Sequence, residues 1–184
     1  MAGPQIICDT RQQAKKHLNI DGWLEAHGIA YEYRKLDFGD YQRADGQGNV
    51  SVDSKKDVQE LAQNLGHDHS RFVRECVRAR EAGFRLVILV EEHPEYEDRD
   101  KLKTWVSGVC RRCNHRMRGV CKGPSTQGGR RCPHGVKPMQ GQTVAAIAKT
   151  LESKYGVRFM FCHKRDTARI ICDLLGIEVG DGRQ

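Results

Sequence analysis

The run RLVILV, Arg85 to Val90, constrains the fold more than any other stretch of the chain. Leu86 to Val90 are all apolar, with none of the alternation that marks a half-exposed strand. A run of strand length with no polar side must be covered on both faces, the usual situation of strands flanked by helices on either side of a sheet. The neighbouring segments supply such helices. Gln12 to His27 places Ala14, Leu18, Trp23 and Leu24 loosely on one side, and Gly28 closes it. Asp57 with Glu60 has the capping-box pattern, and Val58, Leu61, Ala62 and Leu65 follow at helical spacing. Ser70 to Ala82 reads as a helix ending at Gly83, Thr143 to Lys154 as another, and Thr167 to Leu175 as a last one ending at Gly176. Strands are expected at Gln5 to Asp9, Ala30 to Leu36 and in VRFMFC, with a hairpin where GDYQRA and NVSVDS flank a Gly-rich turn. The pattern is α/β, with helices on both sides of a central sheet.

At 184 residues this is one domain, spanning 1–184 and long enough to bury a core. No run approaches the roughly 20 apolar residues that span a bilayer, so no membrane partner is expected. The start, MAGPQIICDTRQ, has neither a basic leader nor a long apolar run, which points to the cytoplasm rather than secretion. A reducing compartment disfavours disulfides among the eight cysteines. Cys8, Cys76, Cys162 and Cys172 stand singly as small core residues, whereas Cys110, Cys113, Cys121 and Cys132 crowd into one short segment.

The chemistry begins at SVDSKKD, Ser51 to Asp57. In a strand, residues two apart share a face, so Asp53 and Lys55 project together onto an open side while Val50, Val52 and Ser54 face the core. If the hairpin turn is centred on Gly46 and Gln47, Asp40 lies opposite Asp53. Directly opposed residues have Cβ atoms about 4.5–5.5 Å apart. Two carboxylates that close repel one another unless a cation joins them, and Mg²⁺ or Mn²⁺ takes oxygen ligands of this kind together with substrate phosphate. An adjacent lysine can orient the water that attacks a phosphodiester and balance its charge. Taken alone, the D-x-K step is also what a solvated hairpin end would show.

Several separated motifs, in order, resemble one family. IICDTRQ, LDFGDY, SVDSKKDVQELAQNL, SRFVRECVRAREAGFRLVILVEE and YGVRFMFCHKRDTARIICDLLG look like the XPF-type (xeroderma pigmentosum group F) nuclease domain of the PD-(D/E)xK, restriction-endonuclease-like superfamily. The resemblance covers nearly all of the chain outside about 106–141. It implies a three-layer α/β/α fold around a mixed sheet and Mg²⁺- or Mn²⁺-dependent cleavage of DNA. By the same resemblance Asp40 matches the Asp of the family's GD motif, Asp53 the Glu of its ERK motif and Lys55 that motif's Lys. Asp9 matches an Asp near the metal, and it also suits a strand-end Asp that starts a turn. Arg71 and Glu75 match a helix facing the active site in the family, but at four-residue spacing an ordinary surface ion pair is the favoured reading.

The chain departs from the family at three points. ERK is here Asp53-Ser54-Lys55, and the family's next acid falls at Gln59 by strict count, with Glu60 one residue on. Nothing follows Gln184 where such enzymes commonly carry a tandem helix-hairpin-helix module. The expectation is a stand-alone type like those of bacteria and phages, acting in the cytoplasm of a bacterial or phage-infected cell. A helix-hairpin-helix partner is then not required, and a homodimer remains open.

The segment 106–141 is a separate unit, rich in Gly, Arg, Cys and Pro with almost no aliphatic periodicity. Cys110-x2-Cys113, Cys121 and Cys132 suit a structural four-thiolate Zn²⁺ site, with His115 or His134 as alternatives to one cysteine. Such a site leaves no open position for catalysis at zinc. Arg111, Arg112, Arg116, Arg118, Lys122, Arg130, Arg131 and Lys137 lie here without one Asp or Glu, and the chain's net charge is +7. A stretch with one sign of charge attracts phosphates, which suits DNA. The leading expectation is an endonuclease, with a flap, fork or junction preference open, in DNA repair, recombination or phage DNA processing. The rival is a catalytically silent DNA-binding or scaffold protein that keeps the fold.

Overall fold

The computed structural model describes residues 3, 5–11, 18–92, 98–118, 132 and 138–179. Six strands, β1 (Ile6–Cys8), β2 (Tyr31–Tyr33), β3 (Tyr41–Arg43), β4 (Val50–Lys55), β5 (Arg85–Glu91) and β6 (Arg158–Cys162), form one sheet in the order β2-β1-β3-β4-β5-β6. The sheet is mixed. β3 runs antiparallel to both β1 and β4, whereas β1 pairs with β2, and β4 with β5 and β6 in turn, in parallel.

Helices cover both faces, as the apolar run required. On one side α2 (Val58–Leu65), α3 (His69–Glu81) and α6 (Gly141–Tyr155) bury Leu61, Phe72, Cys76, Val144 and Ala148 against Leu86, Ile88 and Val90 of β5. On the other, α1 (Leu18–Ala26) and α7 (Thr167–Leu175) pack Leu24, Ile171 and Cys172 against Val52 and Leu89. Full burial of each Leu or Ile contributes about 1.5–3 kcal/mol. This is the three-layer α/β/α arrangement of restriction-endonuclease-like folds. No helix of the described residues is long and apolar enough to cross a membrane.

Element ends followed local chemistry. Asp57 caps α2, accepting the Glu60 N–H at 2.7 Å, while the Glu60 carboxylate reaches back to the Lys56 N–H at 3.0 Å. The expected strand from Ala30 to Leu36 is shorter, because the Leu36 N–H turns out of the sheet to the Asp9 carboxylate at 3.2 Å. The expected helix from Gln12 is described only from Leu18, since 12–17 lie outside the described residues.

The basic segment is fastened to the body at both ends. Before it, a 3₁₀ turn at Lys101–Thr104 buries Leu102, and Trp105 follows into the same core. After it, Gly141 opens α6 so close to that turn that a Cβ would sit 2.1 Å from the Leu102 carbonyl oxygen. Among its described residues lie two four-residue helices, α4 (Gly108–Arg111) and α5 (Asn114–Met117).

Candidate active site

The β3–β4 pairing sets the geometry. Tyr41 faces Val52 and Gln42 faces Ser51, the register expected for a turn centred on Gly46 and Gln47, and one further step brings Asp40 across from Asp53. Asp40 sits in the bend before β3 and is held from three directions. Its N–H donates to Val52 O at 2.7 Å, its carbonyl accepts the Asp9 N–H at 2.8 Å, and its Oδ2 accepts the Ser54 N–H at 2.8 Å and hydroxyl at 2.9 Å. Ser54, standing where the family pattern has arginine, thus orients the first carboxylate.

Asp53 and Lys55 do share a face, but that face is not open. β4 is an interior strand, and the helical layer above it leaves Asp53 2% and Lys55 8% exposed. The Phe72 ring of α3 lies 5.9 Å from Lys55 Nζ. Lys55 Nζ donates to Asp53 Oδ1, while Asp53 Oδ2 is buried without a hydrogen-bond partner. Burial pushes the Asp53 carboxyl well above the carboxylate range; the Lys55 ammonium opposes this, and the charges of Asp40 and Glu75 reinforce it. Burial alone would lower Lys55, but Asp53, Asp40 and Glu75 outweigh it and hold the ammonium protonated.

A buried carboxylate oxygen with no partner is costly, and a second carboxylate across the strand pair makes it more so. A hard divalent cation resolves both, because it takes oxygens from one or two carboxylates and completes its shell with water and phosphate. Asp53 Oδ2 and the Asp40 carboxylate fit that requirement. Among the described residues no group of three or more His, Cys, Asp or Glu side chains is gathered as a metal shell.

Glu75 belongs to this site, although its spacing from Arg71 had suggested a surface pair. Phe72, Cys76 and Ala79 form the buried stripe of α3, and Glu75 lies at its edge with Oε1 accepting the Gly39 N–H at 2.9 Å. Arg71 is exposed instead. Gly39 adopts φ +68°, and a Cβ there would meet Ser51 Oγ at 2.1 Å and Val52 O at 3.2 Å. Gly39→Ala is therefore expected to cost about 2–4 kcal/mol, from the left-handed backbone and the overlap together. Urea unfolding checks this, and adding Ser51→Ala should restore only the overlap share.

Asp9 is 4% exposed and has both oxygens engaged. Oδ2 accepts Arg11 Nε at 2.8 Å, Oδ1 accepts the Leu36 N–H at 3.2 Å, and Arg11 Nη2 also donates to Leu36 O. That is the geometry of a strand-end Asp organising a turn. Arg111, Arg112 and Arg118 are exposed; the Arg116 side chain, Arg130 and Arg131 lie outside the described residues. Cys110 and Cys113 bracket the end of α4, with the Cys113 N–H donating to Cys110 O at 3.3 Å. Both, like Cys132, are half-buried, and Cys121 and His134 lie outside the described residues.

The fold and this constellation agree with a match to the ERCC4 domain model over residues 8–174, most of the chain. The chain belongs to the ERCC4 domain family. No curated protein matches it significantly. ERCC4 domains are nuclease domains that act on DNA, generally selecting for its structure, and typically use divalent metals. The ERCC4 match begins at Cys8 in β1 and ends at Leu174 in α7, so it takes in Asp40, Asp53, Lys55 and Glu75 as well as the basic segment.

Proposed function

We propose that this ERCC4 domain is a Mg²⁺- or Mn²⁺-dependent endonuclease that hydrolyses phosphodiester bonds of DNA, with Asp40 and Asp53 holding the cation and Lys55 serving the attacking water. The supporting observation is the buried Asp53 carboxylate, whose Oδ1 accepts from Lys55 while Oδ2 has no hydrogen-bond partner, with Asp40 across from it in the strand register. When bound, the divalent ion supplies Lewis-acid activation of the phosphate and the water. The chain's own residues do the rest. The Ser54 amide and hydroxyl keep Asp40 oriented. The Lys55 ammonium orients the nucleophile and offsets the negative charge that grows on the phosphorus-bound oxygens. A water oxygen bonds to phosphorus, the bond to the leaving sugar oxygen breaks, and that oxygen takes a proton.

DNA is held by the exposed arginines Arg71, Arg111, Arg112 and Arg118, with Arg116, Arg130 and Arg131 extending the same acid-free segment. Cys110, Cys113, Cys121 and Cys132 would staple that segment around a structural Zn²⁺. The substrate class is branched DNA, in repair, recombination or phage DNA processing. Purified protein should cut flapped, forked or four-way-junction DNA in preference to linear duplex with Mg²⁺ or Mn²⁺, lose the activity in chelator, and carry one zinc per chain. Salt-dependent DNA affinity without cutting in either ion would instead show a silent DNA-binding member of the family. Full activity from zinc-free protein with all four thiols alkylated would reject the staple.

A further inference from the structure

We infer that Gln59 is a positioning residue that latches the arginine-bearing segment starting at Ser107 onto the first turn of α2, and so sets Arg111 and Arg112 beside the catalytic end of β4. This rests on the nuclease reading above. Gln59 Oε1 accepts two hydrogen bonds from that segment, one from the Gly108 N–H at 2.9 Å and one from the Ser107 hydroxyl at 3.2 Å. Ser107 is 3% exposed, so its side of the joint is shielded from water. Its hydroxyl, at the N-cap of α4, makes no cap bond to that helix; it goes to Gln59 instead.

The other side of the latch is rigid. β4 ends at Lys55 and α2 begins at Val58, whose N–H is held by Glu92 Oε2, just past the end of the parallel strand β5, at 3.1 Å. Gln59 therefore projects from the same end of the sheet as the Asp53–Lys55 pair. A Cβ at Gly108 would stand in ordinary contact with both sides of the joint, 3.6 Å from Gln59 Oε1 and 3.9 Å from Arg112 Nη2, which puts the Arg112 guanidinium close to the latch. Within one turn of the latch follow Arg111 and Arg112, both exposed.

The choice of an amide also makes chemical sense. Gln59 stands where the family pattern places a further acid. A neutral amide oxygen can accept both donors without placing a negative charge beside arginines meant for phosphate. At this position the amide serves as a fastening point, and substrate placement is its task.

The test measures binding of forked DNA by the full chain in chelator over a salt series, alongside steady-state cleavage. Each phosphate contact contributes about 0.9 to the slope of log K against log salt concentration, so Arg111→Ala/Arg112→Ala should lower the slope by about 1–2. Gln59→Ala should lower it by a similar amount, raise KM about five- to tenfold with kcat within about twofold, and add nothing when combined with the arginine changes. A residue that merely supported the fold would not shift the salt slope. Ser107→Ala removes one donor, leaves α2 intact, and should give an intermediate KM. Wild-type slope and KM in Gln59→Ala, or fully additive effects in the combined variant, would overturn the latch. Should the wild type bind with full slope yet cut in neither ion, the nuclease reading fails, and the slopes alone judge the latch.

Discussion

Lys55→Met is expected to lower cleavage by about a hundred- to a thousandfold while DNA affinity in chelator stays within a few-fold. In the proposed mechanism Lys55 acts from a dry position, 8% exposed, where a fixed ammonium acts more strongly than it could in water. Methionine keeps most of the volume beside Phe72 and removes only the charge. Asp53→Asn should lose at least as much, because the amide offers one weaker oxygen where the carboxylate has an unpartnered one. Single-turnover cleavage of a labelled fork measures both. Near wild-type rates in either variant would sink the assignment of the site.

The second large effect is on stability, and it should be asymmetric. Removing one partner of a buried ion pair costs about 3–5 kcal/mol, because the other charge is left uncompensated. Asp53→Ala leaves Lys55 still facing the charges of Asp40 and Glu75, so its cost should lie at the lower end of that range. Lys55→Met leaves Asp53 without its cation, but burial already pushes that carboxyl up and it takes a proton in place of the ammonium. This should therefore be the less destabilising change at and below neutral pH, with a cost that grows as pH rises. The double variant should cost less than the sum. Denaturant unfolding in chelator gives the cycle. A cost of Lys55→Met that does not grow with pH would mean that Asp53 takes up no proton when its cation is removed. Mg²⁺ should raise the stability of the wild type more than that of Asp53→Ala, since a ligand stabilises the state that binds it.

Much of this site could be read from short-range pattern. The hairpin register was legible because Gly46 and Gly48 mark a turn, which Asp45 closes by accepting the Gln47 N–H at 2.9 Å. A two-residue period then carries Asp40 opposite Asp53 with no further information. The helix from Thr167 to Leu175 was bounded at its C-terminal end, since Gly176 takes the left-handed conformation that stops it. The strand from Ala30 overran because nothing local announces that Asp9, far away in the chain, captures the Leu36 N–H.

Three assignments needed the packed molecule. The Asp53–Lys55 face was expected to be open, and only the placement of α3 over β4 makes it dry. Glu75 resembled half of a surface pair until the helix was seen to turn it toward Gly39. Gln59 looked like a lost acid, and its use became visible only when Ser107 and Gly108 came to rest on it.

By itself the sequence determined the layered α/β architecture, the family, and the candidate acid–acid–lysine set, because periodicity, turn residues and charge run are properties of neighbours along the chain. The tertiary structure alone decided which of those charges are dry, which are already satisfied by hydrogen bonds, and where the basic segment is fastened. Burial and hydrogen-bond satisfaction depend on residues distant in sequence, and in a medium of low dielectric they decide what a carboxylate or an ammonium can do.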